Sequence, residues 1–400
     1  MDKPEIMPFH TYLWKIASRC NINCTYCYIY NLADGRWRDQ PAFMSESVAR
    51  QTALRMREHC EAHGKKDIAL IFHGGEPLLG GISHLSMLLS VIREVLPDFQ
   101  ISMGMQSNGL LFTEEIGDFF KSNRIAYGIS TDGPPEVNDL HRLDHAGKSI
   151  SKALEEKIKL VSSRYRSIWA GFLCVINIEA DPIAVTKYLL GFSPPGFDLI
   201  LPYYNYGVLP PGKEDDLNAT PYADWLIKCF DYWYAQDSSA RIRLFNSFIR
   251  LMFGVPGGVE AVGLDPVDLI VVETNGEIEA VDSLKSTYDG ATKLGYNVFD
   301  NEFDEVASHF AVRSRQLGAE TLCHKCQECP VVQVCGGGYI PHRYSPEGHS
   351  FNNPSIYCAD LEKTIRHIHS VVSDDFGQFK YSLEAARSNV TEVHERSVAY

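Results

Sequence analysis

Two stretches and one distant cysteine hold the residue types most able to do chemistry. "SRCNINCTYCYIYN" sets Cys20, Cys24 and Cys27 at C-x3-C-x2-C spacing. "CHKCQECPVVQVCGGGY" carries Cys323, Cys326, Cys329 and Cys335, and Cys358 follows in "NNPSIYCADL". Three thiolates on one loop can hold three corners of an iron–sulfur cubane and leave the fourth iron open to a substrate or cofactor. A structural zinc ion normally takes a fourth protein ligand, and His10, the nearest upstream histidine, is badly spaced to supply one. The total of 11 cysteines is odd, and clustered thiols in a reducing cytosol are metal ligands or catalytic groups rather than disulfides. Cys60, Cys174 and Cys229 stand alone among apolar residues and read as small buried hydrophobes.

Elements able to present such loops are written along the first 235 residues. The runs "TYLWKIA", "DIALIFH", "QISMGMQ", "RIAYGIS", "AGFLCVI" and "DLILPYY" alternate with helical patterns, as a parallel α/β fold demands. Among the helical stretches, "SESVARQTALRMREHC" opens on a serine cap. Six such units predict a partial (β/α)6 TIM-like barrel, an α/β fold with its chemistry at the C-terminal ends of the strands. Residues 236–300 read as a connector containing a β-hairpin that turns at Asn275-Gly276. A cysteine-rich module over 301–371 follows, with a helix behind Cys358, and 372–400 read as a loose polar tail.

With 400 residues, 45% of them apolar, the chain can bury a large core. Its formal charge of −14, without a lysine- or arginine-rich run, argues against nucleic acid as a partner. The N-terminal 20 residues lack a signal pattern, and no run of about 18 apolar residues is evident, so a membrane partner is not expected and the chain reads as cytoplasmic.

The cysteine triad after the first strand, with Tyr26 before its last member, resembles the radical S-adenosylmethionine (SAM) superfamily. "HGGEP" after the second strand, with Gly74, Gly75 and Glu76, is similar to that superfamily's glycine-glycine-glutamate-proline motif. The resemblance implies a SAM-binding 4Fe-4S cluster on Cys20, Cys24 and Cys27, with Tyr26, Gly74, Gly75, Glu76, Asn108, Ser130 and Arg142 around the cofactor. Glu76 is expected to hold its amino group, Ser130 its ribose and Arg142 its carboxylate. Asn108-Gly109 and Asp132-Gly133 can equally be plain turns.

The C-terminal segment resembles the SPASM extension of the same superfamily, which in its fullest form holds two auxiliary clusters. On that pattern Cys326, Cys329, Cys335 and Cys358 ligate one auxiliary 4Fe-4S cluster. Val281 and Tyr339 stand where the other cluster's cysteines would be, and Cys323 is left over. Structural zinc is the rival permitted by the spacing. The glycine run 336–338 lacks the lysine and preceding strand of a P-loop and is expected to let the backbone pass close to cluster sulfurs. His342 and Arg343 are expected behind the cluster or on a substrate carboxylate.

"CGGGYIPHRY", "NDLHR", "AGFLCVIN" and "VDSLK" resemble the FxsB-type peptide maturases, relatives of enzymes that build three-residue cyclophanes. The resemblance implies a ribosomal precursor peptide, abstraction of a Cβ hydrogen, and a crosslink from an aromatic carbon to that Cβ. Restoring the ring requires one proton and one electron to leave; Asp282 is the expected proton acceptor and the auxiliary cluster the expected electron acceptor. A reductant such as flavodoxin or ferredoxin is an expected partner; because Cys20 lies too near the start for a fused leader-binding domain, leader recognition is expected to use the barrel, the connector or a separate leader-binding protein. Ser or Cys oxidation as in sulfatase maturation, thioether formation, and a non-catalytic zinc-ribbon-like binding module are the alternatives.

Overall fold

The computed structural model describes residues 7–236 and 239–375. Its twelve strands are β1 (Thr11–Ala17), β2 (Ile22–Cys24), β3 (Asp67–Gly74), β4 (Gln100–Ser107), β5 (Ile125–Ser130), β6 (Arg142–Asp144), β7 (Trp169–Val175), β8 (Gly196–Ile200), β9 (Arg241–Ile242), β10 (Leu269–Val272), β11 (Glu277–Glu279) and β12 (Lys293–Asn297). Ten form one sheet in the order β12-β11-β10-β1-β3-β4-β5-β7-β8-β9, and β2 pairs with β6 in a separate ribbon. All six strands expected from apolar runs are present, adjacent and parallel. Helices between them bury one face against the sheet, as right-handed crossovers require. The helix Glu46–Ala62 is capped by Ser45, whose hydroxyl accepts from Val48 N–H. The barrel stays open: β9 and β12 are its edge strands.

The hairpin expected in the connector exists and belongs to the same sheet. β10 runs parallel to β1, with Thr11 opposite Leu269 and Trp14 opposite Val272, so the sheet continues past the expected boundary at residue 235. β11 returns antiparallel, and Gly276 makes the turn at φ +86, a conformation that favours glycine. Across the gap, Thr11 and Leu269 on one side and Asp198 to Leu201 on the other line one cavity of about 750 Å³. The sheet therefore curls around that space.

Two expectations need correction. Among the described residues, Pro77–Val95 is 19 residues long with mean hydropathy 1.3, long and apolar enough by composition to cross a membrane. In the fold its Leu85, Leu88, Leu89 and Ile92 are buried in the main core, which accounts for the apolar run. The helix behind Cys358 extends over 358–375, so the first four residues of the expected tail are helical; the remainder lies outside the described residues.

Candidate active site and cluster-binding cysteines

The cysteine loop leaves β1 and passes over the ends of β3 and β4. Cys24 lies in the β2–β6 ribbon directly opposite Arg142, so the ribbon, absent from any strand pattern in the sequence, brings the arginine beside the triad. The loop is zipped to the glycine motif by Gly75 N–H to the Ala17 carbonyl and Glu76 N–H to the Arg19 carbonyl, both 2.8 Å. A Cβ on Gly74, at φ +151, would fall 2.0 Å from the Ala17 carbonyl oxygen, and one on Gly75 1.8 Å from the Tyr30 hydroxyl. Both glycines are therefore demanded by the cysteine loop's own backbone.

Cys20, Cys24, Cys27, Tyr26, Asn108, Ser130 and Arg142 line a second cavity of about 200 Å³, and Gly74 and Gly75 form part of its wall. Tyr26 O–H donates to Asp132 at 2.5 Å and accepts from Arg142 Nη1 at 3.0 Å. Arg142 Nε is buried with no partner. An unpartnered guanidinium N–H on a cavity wall fits an incoming carboxylate, where a charge-assisted bond replaces lost hydration. Ser130 accepts from Gln106 Nε2 at 2.9 Å, and Gln106 is itself part of the wall. Burial pushes the Cys20 thiol up to about 12 and the Cys27 thiol up to about 11; to ligate a metal centre both would have to give up their protons, which binding itself would drive. The residues present fit SAM on a triad-bound cluster.

Glu76 is fully buried behind the wall, accepting from Leu78 N–H, the Ser107 hydroxyl and Asn108 N–H. Burial, the largest influence, raises its carboxyl to about 7 against the opposing hydrogen bonds. In this geometry it holds the β4 terminus, and through it Asn108, whose side-chain amide lies 3.6 Å from the Cys20 sulfur.

Asp282 lines neither cavity. Its carboxylate bonds to Lys15 Nζ and accepts from the Tyr28 hydroxyl at 2.6 Å, and Lys15 Nζ lies 3.1 Å from His73 Nδ1. Burial pushes the Asp282 carboxyl up, but the charges of Lys15 and His73 and the bonds from Lys15 and Tyr28 outweigh it and hold the carboxyl well below the usual range. Burial and Lys15 together bring His73 down to about 4. Tyr28 and His73 do face the 200 Å³ cavity. Lys285, bonded to Glu273 and Glu279, pins the turn that carries Asp282.

Cys326, Cys329, Cys335 and Cys358 line one small cavity, together with Gly337 and Ser355; Cys323 is not part of its wall. Cys323 caps the turn His324–Gln327 and sits beside the Cys326 sulfur. Burial first, then that neighbour, raises the Cys326 thiol to about 12. One zinc ion, at Zn–S distances of about 2.3 Å, draws its thiolates to about 3.8 Å of one another. Among the described residues, His59, His63 and Asp304 bring their ligand atoms within 4.8 Å of one another. His59 is already used on both nitrogens, by Phe9 N–H and Asp304, and reads as a tie between two helices.

Within the glycine run, Gly337 brings its backbone to the Cys335 sulfur in the cysteine-lined cavity, as expected, and Gly336 has a second cause. Gly336, at φ +63, would place a Cβ 1.7 Å from the Gly263 carbonyl oxygen. Arg343 binds the carbonyls of Gly336, Gly337 and Gly338 and is a brace for that loop, not a substrate contact. Tyr339 donates to or accepts from Ser283 at 2.6 Å, and Val281 is 3% exposed; packed side chains fill the positions where further cysteines would stand.

Residues 14–178 match the model of the radical SAM superfamily. The chain is 24% identical to the cysteine-type anaerobic sulfatase-maturating enzyme of Clostridium perfringens strain 13, over 87% of this chain and 92% of that one. It is 22% identical to the serine-type enzyme of Bacteroides thetaiotaomicron, over 91% and 90%. The solved structure of native anSMEcpe with bound AdoMet and the Cp18Cys peptide superposes with a TM-score of 0.76 at 22% identity, covering 92% of this chain and 99% of that one.

Proposed function

We propose, from the match of residues 14–178 to the radical SAM superfamily model, that this chain is a radical SAM enzyme with SAM and 4Fe-4S clusters as cofactors, and that it modifies a ribosomal precursor peptide by taking a Cβ hydrogen and joining that carbon to a nearby aromatic ring. One observation carries the reading: the cysteine-lined cavity and the 750 Å³ cavity share Ile200, Leu201 and Tyr203 as lining. The two spaces are therefore neighbours across these residues, where a peptide segment in the larger one would approach the smaller.

SAM reduced at the triad's cluster supplies the one-electron oxidant that removes an unactivated hydrogen. Cys20, Cys24 and Cys27 hold that cluster, and Arg142, fixed by Tyr26 and Asp132, holds a carboxylate. The apolar side chains of Leu173, Val175 and Leu201 exclude water from the space between. Tyr28 faces the cavity with its proton already directed at Asp282, so it can take a substrate proton while passing its own inward. Asp282, held strongly acidic by Lys15, passes that proton on through Lys15 Nζ to His73, whose Nδ1 lies 3.1 Å from it and which ends the route as the proton acceptor. Cys326, Cys329, Cys335 and Cys358 would hold an auxiliary cluster, which would supply a one-electron acceptor. Asp198 and Glu260 in the wall of the larger cavity are paired with Arg243 and Arg315, and Asp265 and Asp268 of the same wall favour a basic residue flanking the modified segment.

The whole-length likeness to sulfatase-maturating enzymes favours a second reading, oxidation of a serine or cysteine at the same Cβ. Co-expression with a precursor peptide separates the two. A peptide lighter by two hydrogens and unreactive toward hydrazide supports the crosslink; a hydrazide-reactive aldehyde supports oxidation; an unchanged peptide refutes both.

A further inference from the structure

His342 is 3% exposed, and its ring has at most the Pro202 carbonyl as a hydrogen-bond partner, so at least one ring nitrogen is buried unpaired. Buried polar groups left unpaired are uncommon and costly. The backbone around this residue is satisfied: its N–H reaches the Tyr339 carbonyl at 3.1 Å and its carbonyl accepts from Ile356 at 2.8 Å. The ring is held by Tyr339 and Tyr357 at centroid distances of 5.7 and 4.9 Å, both edge to face, and by Tyr203 at 6.2 Å. The nearby Pro202 carbonyl already accepts from Tyr204 N–H and the Tyr357 hydroxyl.

The imidazole forms part of the wall of the 750 Å³ cavity, beside Tyr203 and Tyr339. Burial and the neighbouring Arg343 bring it down to about 3, so at neutral pH it is uncharged, with one nitrogen donating and the other a bare acceptor. Around it the wall is aromatic and aliphatic, with Leu201 and Leu361 close by. Such a surface takes a flat ring, edge to face, and offers it one polar anchor.

Building on the peptide-modifying reading, we infer that His342 is a specificity-determining residue: its free nitrogen accepts a hydrogen bond from an aromatic side chain that carries a donor, a phenol or an indole, and seats that ring beside Tyr203 at the mouth of the cysteine-lined cavity. A phenylalanine ring fills the same space but leaves that nitrogen unpaired. A site built around a hydrogen bond rejects the analogue that lacks it.

Side-chain analogues test this without a peptide and without turnover. Binding of p-cresol, 3-methylindole and toluene is measured by ligand-observed NMR titration on cluster-loaded protein with SAM bound. Either p-cresol or 3-methylindole is expected to bind about tenfold more tightly than toluene, the worth of one buried hydrogen bond. In His342→Phe the ratio should fall to about one with toluene affinity kept within about twofold. His342→Gln, which retains a donor and an acceptor, should keep the preference and so guards against mere misfolding. Equal affinities in the unaltered protein, a preference that survives His342→Phe, or no binding of any analogue would each overturn the inference. Should the fragments fail while a precursor peptide still loses two hydrogens, only this inference falls; should they succeed while no peptide is modified, the reading beneath it falls.

Discussion

Replacing Lys15 by methionine tests the charged group behind the proposed proton route. Lys15 and Asp282 have side chains 2% and 10% exposed and are in direct contact. Removing the ammonium leaves a buried carboxylate with the Tyr28 hydroxyl as its remaining donor. Breaking such a pair from one side costs about 3–5 kcal/mol, because the desolvation that already opposes ionisation of Asp282 is then uncompensated. The Asp282 carboxyl should move from far below the usual range to above it and take up a proton at neutral pH. Lys15→Met, Asp282→Asn and the double variant form a cycle, read by urea unfolding followed through tryptophan fluorescence, since Trp14 is fully buried beside Lys15. The account expects each single change to destabilise by at least about 3 kcal/mol and the double variant to recover about 2 kcal/mol or more relative to their sum. Single effects below about 1 kcal/mol, the range of exposed pairs, or strict additivity would refute the reasoning.

Further outcomes follow from the same geometry. Cys326→Ala should lower iron from about eight to about four atoms per chain while Cys323→Ala leaves it unchanged; the opposite pattern in iron analysis would exchange their roles. Gly336→Ala forces a Cβ into the Gly263 carbonyl at a left-handed φ, so it should lose the same four or so irons and keep those of the triad, as EPR of the reduced protein would resolve. His73 has a folded-state pKa lowered from 6.5 to about 4. The folded protein therefore binds fewer protons than the unfolded chain, and stability present above pH 6.5 is lost as pH falls toward 4. The loss is at most about 3 kcal/mol, because one face of the ring looks onto the cavity. Unfolding curves of His73→Phe should lack that part of the acid slope; an identical slope would count against it.

The strands were legible because each is an apolar run bounded by helical periodicity, and the cysteine triad because its spacing has few uses. Lys15 was not: within "TYLWKIA" it reads as an outward-facing strand lysine, and its partner Asp282 lies 267 positions away. The ribbon that carries Arg142 to Cys24 is two three-residue strands, too short for any periodicity to register. Asp132 and Gln106 were hidden in a turn and a strand, and what reveals them is a contact, to Tyr26 and to Ser130. Glu76 was recognised by motif but its bonds from Leu78, Ser107 and Asn108 were not, since sequence alone does not tell a carboxylate facing a cavity from one holding the wall behind it. The unpaired imidazole nitrogen of His342 likewise exists only once three tyrosines from separate segments enclose it.

The central claim is that a peptide Cβ hydrogen is taken at this site, and isotope transfer tests it most directly. A precursor peptide deuterated at Cβ is incubated with cluster-loaded protein, SAM and dithionite, and the 5′-deoxyadenosine produced is weighed. The account predicts deuterium in 5′-deoxyadenosine together with a modified peptide. Deuterium retained in the peptide, with label recovered only from Cα-deuterated substrate, would contradict it.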